Sequence, residues 1–191
     1  MWGLDEIKDY LRSNLKPARY GHVLGVVNTA IKLAETYGED KEKAEIAALC
    51  HDVAKNMSNE ELRKIIEDEN IILSIDEENT KELWHSIIAP IIAKKVFEIK
   101  DEEILNAMRW HTTGKENMTN LEKIVYLADL IEPSRKFEGI DEIREVAYKD
   151  LDLAMLKALT HTTIYLLNKG CAVDINSVKA RNYLVYNTNN K

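Results

Sequence analysis

Two cysteines in 191 residues leave no material for a disulfide framework or a thiolate metal cluster. Cys50 and Cys171 lack metal-type spacing and read as buried free thiols of a reducing cytosol. Glycine is scarce at seven residues and proline at three, so few positions can break a helix. No apolar run approaches the about 20 residues that a membrane-spanning helix needs. Residues 1–15 alternate charged and apolar side chains where a signal sequence would carry an apolar core. Positive charge is in deficit: 26 Lys and Arg against 33 Asp and Glu give a formal charge of −7, which argues against an extended nucleic-acid surface but leaves room for a local basic pocket. Repeats, low-complexity tracts and linkers are missing too. With 45% hydrophobic and 31% charged residues, the chain is expected to be one cytoplasmic globular domain able to bury a core.

What is present is helical periodicity, with almost no strand alternation, so the expected fold class is all-α. The spacing predicts a helix over 4–15, stopped by Lys16-Pro17. Val23, Val26, Val27, Ala30, Ile31, Ala34 and Tyr37 form one face of a second helix, with His22 at its start and Gly38 as its stop. Asp40 caps a third, whose Ala44, Ala47 and Ala48 let a neighbouring helix approach closely. Capping boxes at Ser58/Glu61 and Thr119/Glu122 open two more, the first ending near Asn70 and the second closing before Pro133. Further helices are expected over 76–84, from a first turn containing Pro90 through Val96, and from caps at Asp101, Asp141 and Asp150. The last of these runs to Lys169 with Gly170 as its stop. A short helix over 177–186 then precedes a polar, frayed end.

The chemistry is concentrated at His51-Asp52, the end of the apolar run on the third helix. An ionised Asp beside an imidazole is costly to bury without a partner, and a divalent cation accepts both groups. Other candidates stand in marked places. His22 follows Arg19 by three residues, and His85 lies at the end of 76–84 or in the turn after it. His111 falls seven residues after Ile104, on the buried face of its helix. Asp129 sits among Val125, Leu127, Ala128 and Leu130, at least partly buried. One histidine in a helix is ordinarily a core or surface residue, and His161, outside this series, is read as structural. The arrangement H…HD…H…H…D carries the argument.

That order resembles the HD-domain superfamily of metal-dependent phosphohydrolases. The runs Trp110-His111-Thr112-Thr113-Gly114 and Ala128-Asp129-Leu130-Ile131-Glu132-Pro133-Ser134-Arg135 resemble one branch, the YqeK-like symmetrical bis(5'-nucleosyl)-tetraphosphatases, from about residue 19 to 181. The resemblance implies a compact helical bundle in a single HD domain, with a core over about 18–135 and C-terminal helices over 141–186 completing a nucleotide pocket. It implies hydrolysis of diadenosine tetraphosphate to two ADP by metal-activated water. It makes His22, His51, Asp52 and Asp129 metal ligands, and it points to iron; manganese, cobalt or zinc also suit mixed imidazole and carboxylate donors. One or two ions fit. His85 and His111 either complete a second site bridged by Asp52, or stay unligated and hydrogen-bond substrate phosphate.

Asp52, Lys55, His85 and His111 are the candidate catalytic groups. Lys55, three residues after Asp52, is on its own a surface lysine; the HDxxK pattern makes phosphate contact or water polarisation its expected role. Arg19 and Arg135 offer planar forks to phosphoryl oxygens. His22, Thr112, Thr113, the 170–175 segment and Arg181 with Asn182 are expected at the substrate. The expected partner is a small-molecule nucleotide, with no nucleic acid and no membrane; a homodimer is compatible. The rival readings are another HD nucleotidase or phosphodiesterase, a di-iron oxygenase on the same scaffold, and a non-catalytic nucleotide sensor.

Overall fold

Caps and apolar stripes resolve into eleven α-helices in the computed structural model, which describes residues 1–188 and has no strand among them. They are α1 (Leu4–Asn14), α2 (Pro17–Tyr37), α3 (Lys41–Cys50), α4 (Asn59–Asp68), α5 (Ile75–Asn79), α6 (Trp84–Lys95), α7 (Glu102–Arg109), α8 (Asn120–Ile131), α9 (Ile140–Ala147), α10 (Leu151–Asn168) and α11 (Ile175–Thr188), with a 3-10 turn at Lys81–Leu83 before α6. α2 lies against α3 and α8; α7 against α3, α6 and α8; α10 against α8, α9 and α11.

The main core joins Val23, Val26, Ala30 and Leu33 of α2 to Ala47 and Leu49 of α3, Ile124 and Leu127 of α8, and Met155 and Leu159 of α10, all buried. Each large side chain here contributes about 1.5–3 kcal/mol by leaving water. Ala44, Ala47 and Ala48 are fully buried, so α3 approaches its neighbours through methyl groups. A smaller cluster joins Leu62 and Ile66 of α4 to Trp84, Ile87 and Ile88 of α6. The Tyr37 hydroxyl donates to the Ala147 carbonyl at 2.7 Å and ties α2 to α9.

The capping chemistry is realised. Asp40 accepts from the Glu42 and Lys43 amides at 2.9 and 3.1 Å. The boxes at Ser58/Glu61 and Thr119/Glu122 are closed in both directions, and Asp101 and Asp150 cap α7 and α10. A further box, Ser74 with Glu77, opens α5.

Several boundaries differ from expectation. Pro17 opens α2 at its first position, where its missing N–H costs nothing, so His22 lies in the second turn. The span 76–84 is not one helix: α5 stops at Asn79 and α6 begins at Trp84. The Trp84 indole donates to the Glu77 carbonyl at 2.8 Å across this break, and His85 therefore sits in the first turn of α6. Pro90 is in the interior of α6, where it forfeits the bond to the Ser86 carbonyl. Burial of Trp84, Ile87, Ile88, Ala89 and Ala93 holds that helix regardless. α7 ends at Arg109, so His111 lies in the turn beyond it. Asp141 is not a cap: the chain enters α9 through Gly139 at φ 84, and Asp141 falls in the first turn. Cys50 is buried, but Cys171, in the loop after Gly170, is exposed. α11 starts at Ile175, and the polar end beyond Thr188 lies outside the described residues. Among those described, no helix is long and apolar enough to cross a membrane.

Candidate metal centre

Five elements meet at one point. The second turn of α2 brings His22, the end of α3 brings His51 and Asp52, and the first turn of α6 brings His85. The turn after α7 brings His111, and the last turn of α8 brings Asp129. The four histidines and Asp52 are buried, and the Asp129 side chain keeps 19% exposure. Asp52 stands in the middle. Its Oδ2 is 3.5 Å from His51 Nε2 and 4.0 Å from His22 Nε2, while its Oδ1 is 3.3 Å from His85 Nε2 and 3.7 Å from His111 Nε2. Asp129 Oδ1 lies 2.9 Å from His22 Nε2 and 4.0 Å from His51 Nε2.

All four rings are turned the same way. His51 Nδ1 lies 2.6 Å from the Ala48 carbonyl, His85 Nδ1 2.7 Å from that of Glu82, and His111 Nδ1 2.7 Å from that of Met108. A carbonyl only accepts, so these Nδ1 atoms carry protons and it is each ring's Nε2 that is turned to the centre, where it offers a lone pair to a cation. In the interior of α2 the carbonyls belong to the helix ladder. His22 Nδ1 is instead 2.9 Å from Oε1 of Glu132, a buried carboxylate gripped by the Ser134 amide at 2.7 Å and by the Ser134 hydroxyl.

Burial disfavours ionisation of Asp52, but the charge of His51 and contacts with His111 and His51 outweigh it and hold the carboxyl well below its usual range. Asp129 is also held low, against burial, by His22, His51 and Arg135. For His51, burial disfavours the cation, yet the Asp52 charge wins and raises its pKa. His85 goes down to about 3, through burial first and then its neighbours His111 and Lys55. The Nε2 atoms of His22 and His51 are buried without a hydrogen-bond partner; the Asp129 oxygen beside His22 is at contact distance but not in hydrogen-bond alignment. Two sets, His22/His51/Asp129 and His51/Asp52/His111, each keep their ligand atoms within 4.8 Å of one another. Paired carboxylates facing bare imidazole nitrogens fit a divalent cation.

Three cationic side chains flank the cluster. Arg19 Nη1 is 2.8 Å from Asp52 Oδ2, and Arg135 Nη2 is 2.6 Å from Asp129 Oδ1. Lys55 Nζ lies 3.2–3.3 Å from both ring nitrogens of His85, and burial, its largest influence, lowers its pKa. Thr112 and Thr113 line a cavity of about 410 Å³ with Cys171, Ala172 and Asp174 of the loop after α10. Thr112 Oγ1 and Asp174 Oδ2 are buried there without partners. Arg181, expected at the substrate, donates from Nε to Thr160 Oγ1 at 3.0 Å. His161 stacks on Phe137 instead.

Reasoning from the sequence missed Glu132 and Gly25; Asp174 belongs to the 170–175 segment expected at the substrate. A Cβ at Gly25 would come within 2.7 Å of Glu132 Oε2, so this glycine makes room for the carboxylate that orients His22. The available signal for Glu132 was its place three residues after Asp129, but its partner is 110 residues away in the chain.

The family description "HD domain" matches residues 19–134, a span that includes every one of these ligand candidates. The chain belongs to the HD family. This HD protein is 41% identical over 175 residues to the symmetrical bis(5'-nucleosyl)-tetraphosphatase of Bacillus subtilis (strain 168), covering 92% of the present chain and 94% of the relative. It is 35% identical to the protein of the same name from Staphylococcus aureus (strain NCTC 8325 / PS 47), covering 96% and 95%. Among solved structures, a predicted HD superfamily hydrolase involved in NAD metabolism from Clostridium acetobutylicum superposes with a TM-score of 0.95 at 45% identity, covering 98% of this chain and 99% of that one.

Proposed function

We propose that this HD protein hydrolyses dinucleoside polyphosphates symmetrically, taking diadenosine tetraphosphate to two ADP. The observation that carries the reading is the convergence of four Nε2 atoms and two carboxylates on one point flanked by Arg19, Lys55 and Arg135. Relatives alike over nearly the whole chain bear that activity in their names.

His22, His51 and Asp129 would hold one cation, and Asp52 would bridge to a second held with His85 and His111. The Nδ1 protons of His85 and His111 already go to carbonyls, which favours ligation by their Nε2 atoms over donation to phosphate. When bound, such an ion lowers the pKa of water toward neutrality and neutralises phosphoryl charge. Iron is the leading candidate, and manganese, cobalt or zinc suit the same donors. Arg19 and Arg135, 28% and 39% exposed, hold the carboxylates while keeping nitrogens free for phosphoryl oxygens. Lys55, beside His85, offsets charge on the departing ADP. The cavity at Thr112 takes one nucleoside, and Asp174 Oδ2 accepts a hydrogen bond from it.

The test is incubation of metal-analysed protein with diadenosine tetraphosphate and separation of products by anion exchange. ADP as the sole product, abolished by a chelator, is expected. AMP with ATP, or release of inorganic phosphate, would reject the symmetrical break and bring forward the other HD phosphohydrolase activities.

A further inference from the structure

A second cavity, bounded by α8, the turn after it and α10, takes no part in the scheme above. Its volume is about 430 Å³, close to the about 410 Å³ of the Thr112 cavity, and Thr162 is a wall of both. Neither is lined by a ligand candidate, but each is lined by neighbours of a different end of the metal cluster. The Thr112 cavity lies next to it through Thr112, which follows His111 in the chain, and through Glu82, whose carbonyl accepts from His85. The second cavity reaches it through Arg135, which bonds Asp129 at the opposite end.

Its lining has a definite chemistry. The rings of Phe137 and His161, both in the lining, stack on each other with centroids 4.4 Å apart at 30°. Tyr165, one turn beyond His161 on α10, leaves 55% of its surface exposed at the same opening. Lys136 stands beside Arg135 on the rim, and Lys169 Nζ lies 5.8 Å from the Tyr165 ring centroid. Aromatic faces next to fixed cations are what a purine followed by a phosphate chain requires, since every base has a stacking face and every phosphate a charge.

We propose that this cavity is the subsite for the second nucleoside of the dinucleotide. The inference rests on the hydrolase function proposed above and adds what makes the cleavage symmetrical. One nucleoside seat would measure the phosphate chain from one end only. Two seats of matched size, at opposite ends of the cluster, centre the tetraphosphate on Asp52, so that equal numbers of phosphates lie on either side.

The test compares diadenosine tetraphosphate with adenosine 5'-tetraphosphate, which has the same phosphate chain and one nucleoside, on wild type, Tyr165→Ala and Phe137→Ala. The expected result is a rise in KM for the dinucleotide of about tenfold in each variant, as for loss of one base–aromatic stack. KM for the mononucleotide stays within about twofold, because the Thr112 cavity is untouched. Tyr165→Ala keeps the test secure even where Phe137→Ala harms the core, since Tyr165 is half exposed. Unchanged dinucleotide KM in Tyr165→Ala, or an equal rise for both substrates, would overturn the subsite while leaving the hydrolase reading intact. A wild type that releases no ADP from the dinucleotide would overturn both.

Discussion

Four imidazoles serve the centre, and one depends on a side chain for its aim. Glu132→Ala removes the acceptor from His22 Nδ1 and is expected to weaken metal affinity by about 10–100-fold, the usual effect of losing a partner behind a ligand. Competitive chelator titration reads this directly, and Glu132→Gln, which keeps an oxygen, should recover part of the loss. Gly25→Ala should reproduce the defect from the opposite side, because its methyl group displaces Glu132. Normal affinity in both variants would separate Glu132 from the centre. Arg19→Ala and Arg135→Ala should keep the metal and raise KM about tenfold or more, as expected for a charge-assisted bond. An unchanged KM would place the substrate elsewhere. At this scale the ligand candidates were legible because His51-Asp52 and Asp129 are polar interruptions of apolar stripes. Glu132 was not, because a contact between α2 and the end of α8 leaves no local pattern.

Helix starts were legible wherever a side chain performs the capping, as at Asp40, Ser58, Asp101, Thr119 and Asp150. The region 76–95 was not. There the burial of Trp84, Ile87 and Ile88 against α4 decides where the helix lies, and proline is overruled. Pro90→Ala restores a donor for the Ser86 carbonyl and should raise Tm, by a stabilisation of up to about 3 kcal/mol; a fall in Tm would mean that α6 is shaped around the proline. α5 is held to α7 by the pair Glu77–Arg109. Burial opposes ionisation of Glu77, but Ser74 and Arg109 outweigh it and put its pKa below the ordinary 4.5. A carboxylate with a depressed folded value contributes stability above the ordinary value and loses it as pH falls through the folded one. Glu77→Gln should therefore lower Tm near pH 7 by the equivalent of about 1.5–3 kcal/mol, the worth of a bond to a charged group. The difference from wild type should shrink as pH drops below 4.5. A gap that stays constant down to pH 3 would show that the pair's charge does not matter.

For the whole molecule, convergence was expected only through the resemblance: periodicity alone does not say that the ends of α3, α7 and α8 and the start of α6 share one point, and nothing in the sequence announced a second cavity of similar size near it. These are facts of packing between distant segments, which periodicity does not encode. The centre also links folding to metal. A cation at a hundred times its Kd adds about 2.7 kcal/mol, which for a chain of this size is a rise of about 5–10 °C in Tm. Calorimetry with and without chelator measures it, and Asp52→Ala should abolish the shift; an undiminished shift would remove Asp52 from the binding site. Three of the four rings are aimed by backbone carbonyls three residues upstream, and the fourth by Glu132 through the space left at Gly25. No point mutation deletes a carbonyl. Over evolutionary drift, three ligand orientations are thus inherited with the chain itself, while the fourth is carried by two replaceable codons. Loss of function with all six candidate ligands intact should therefore concentrate at those two positions.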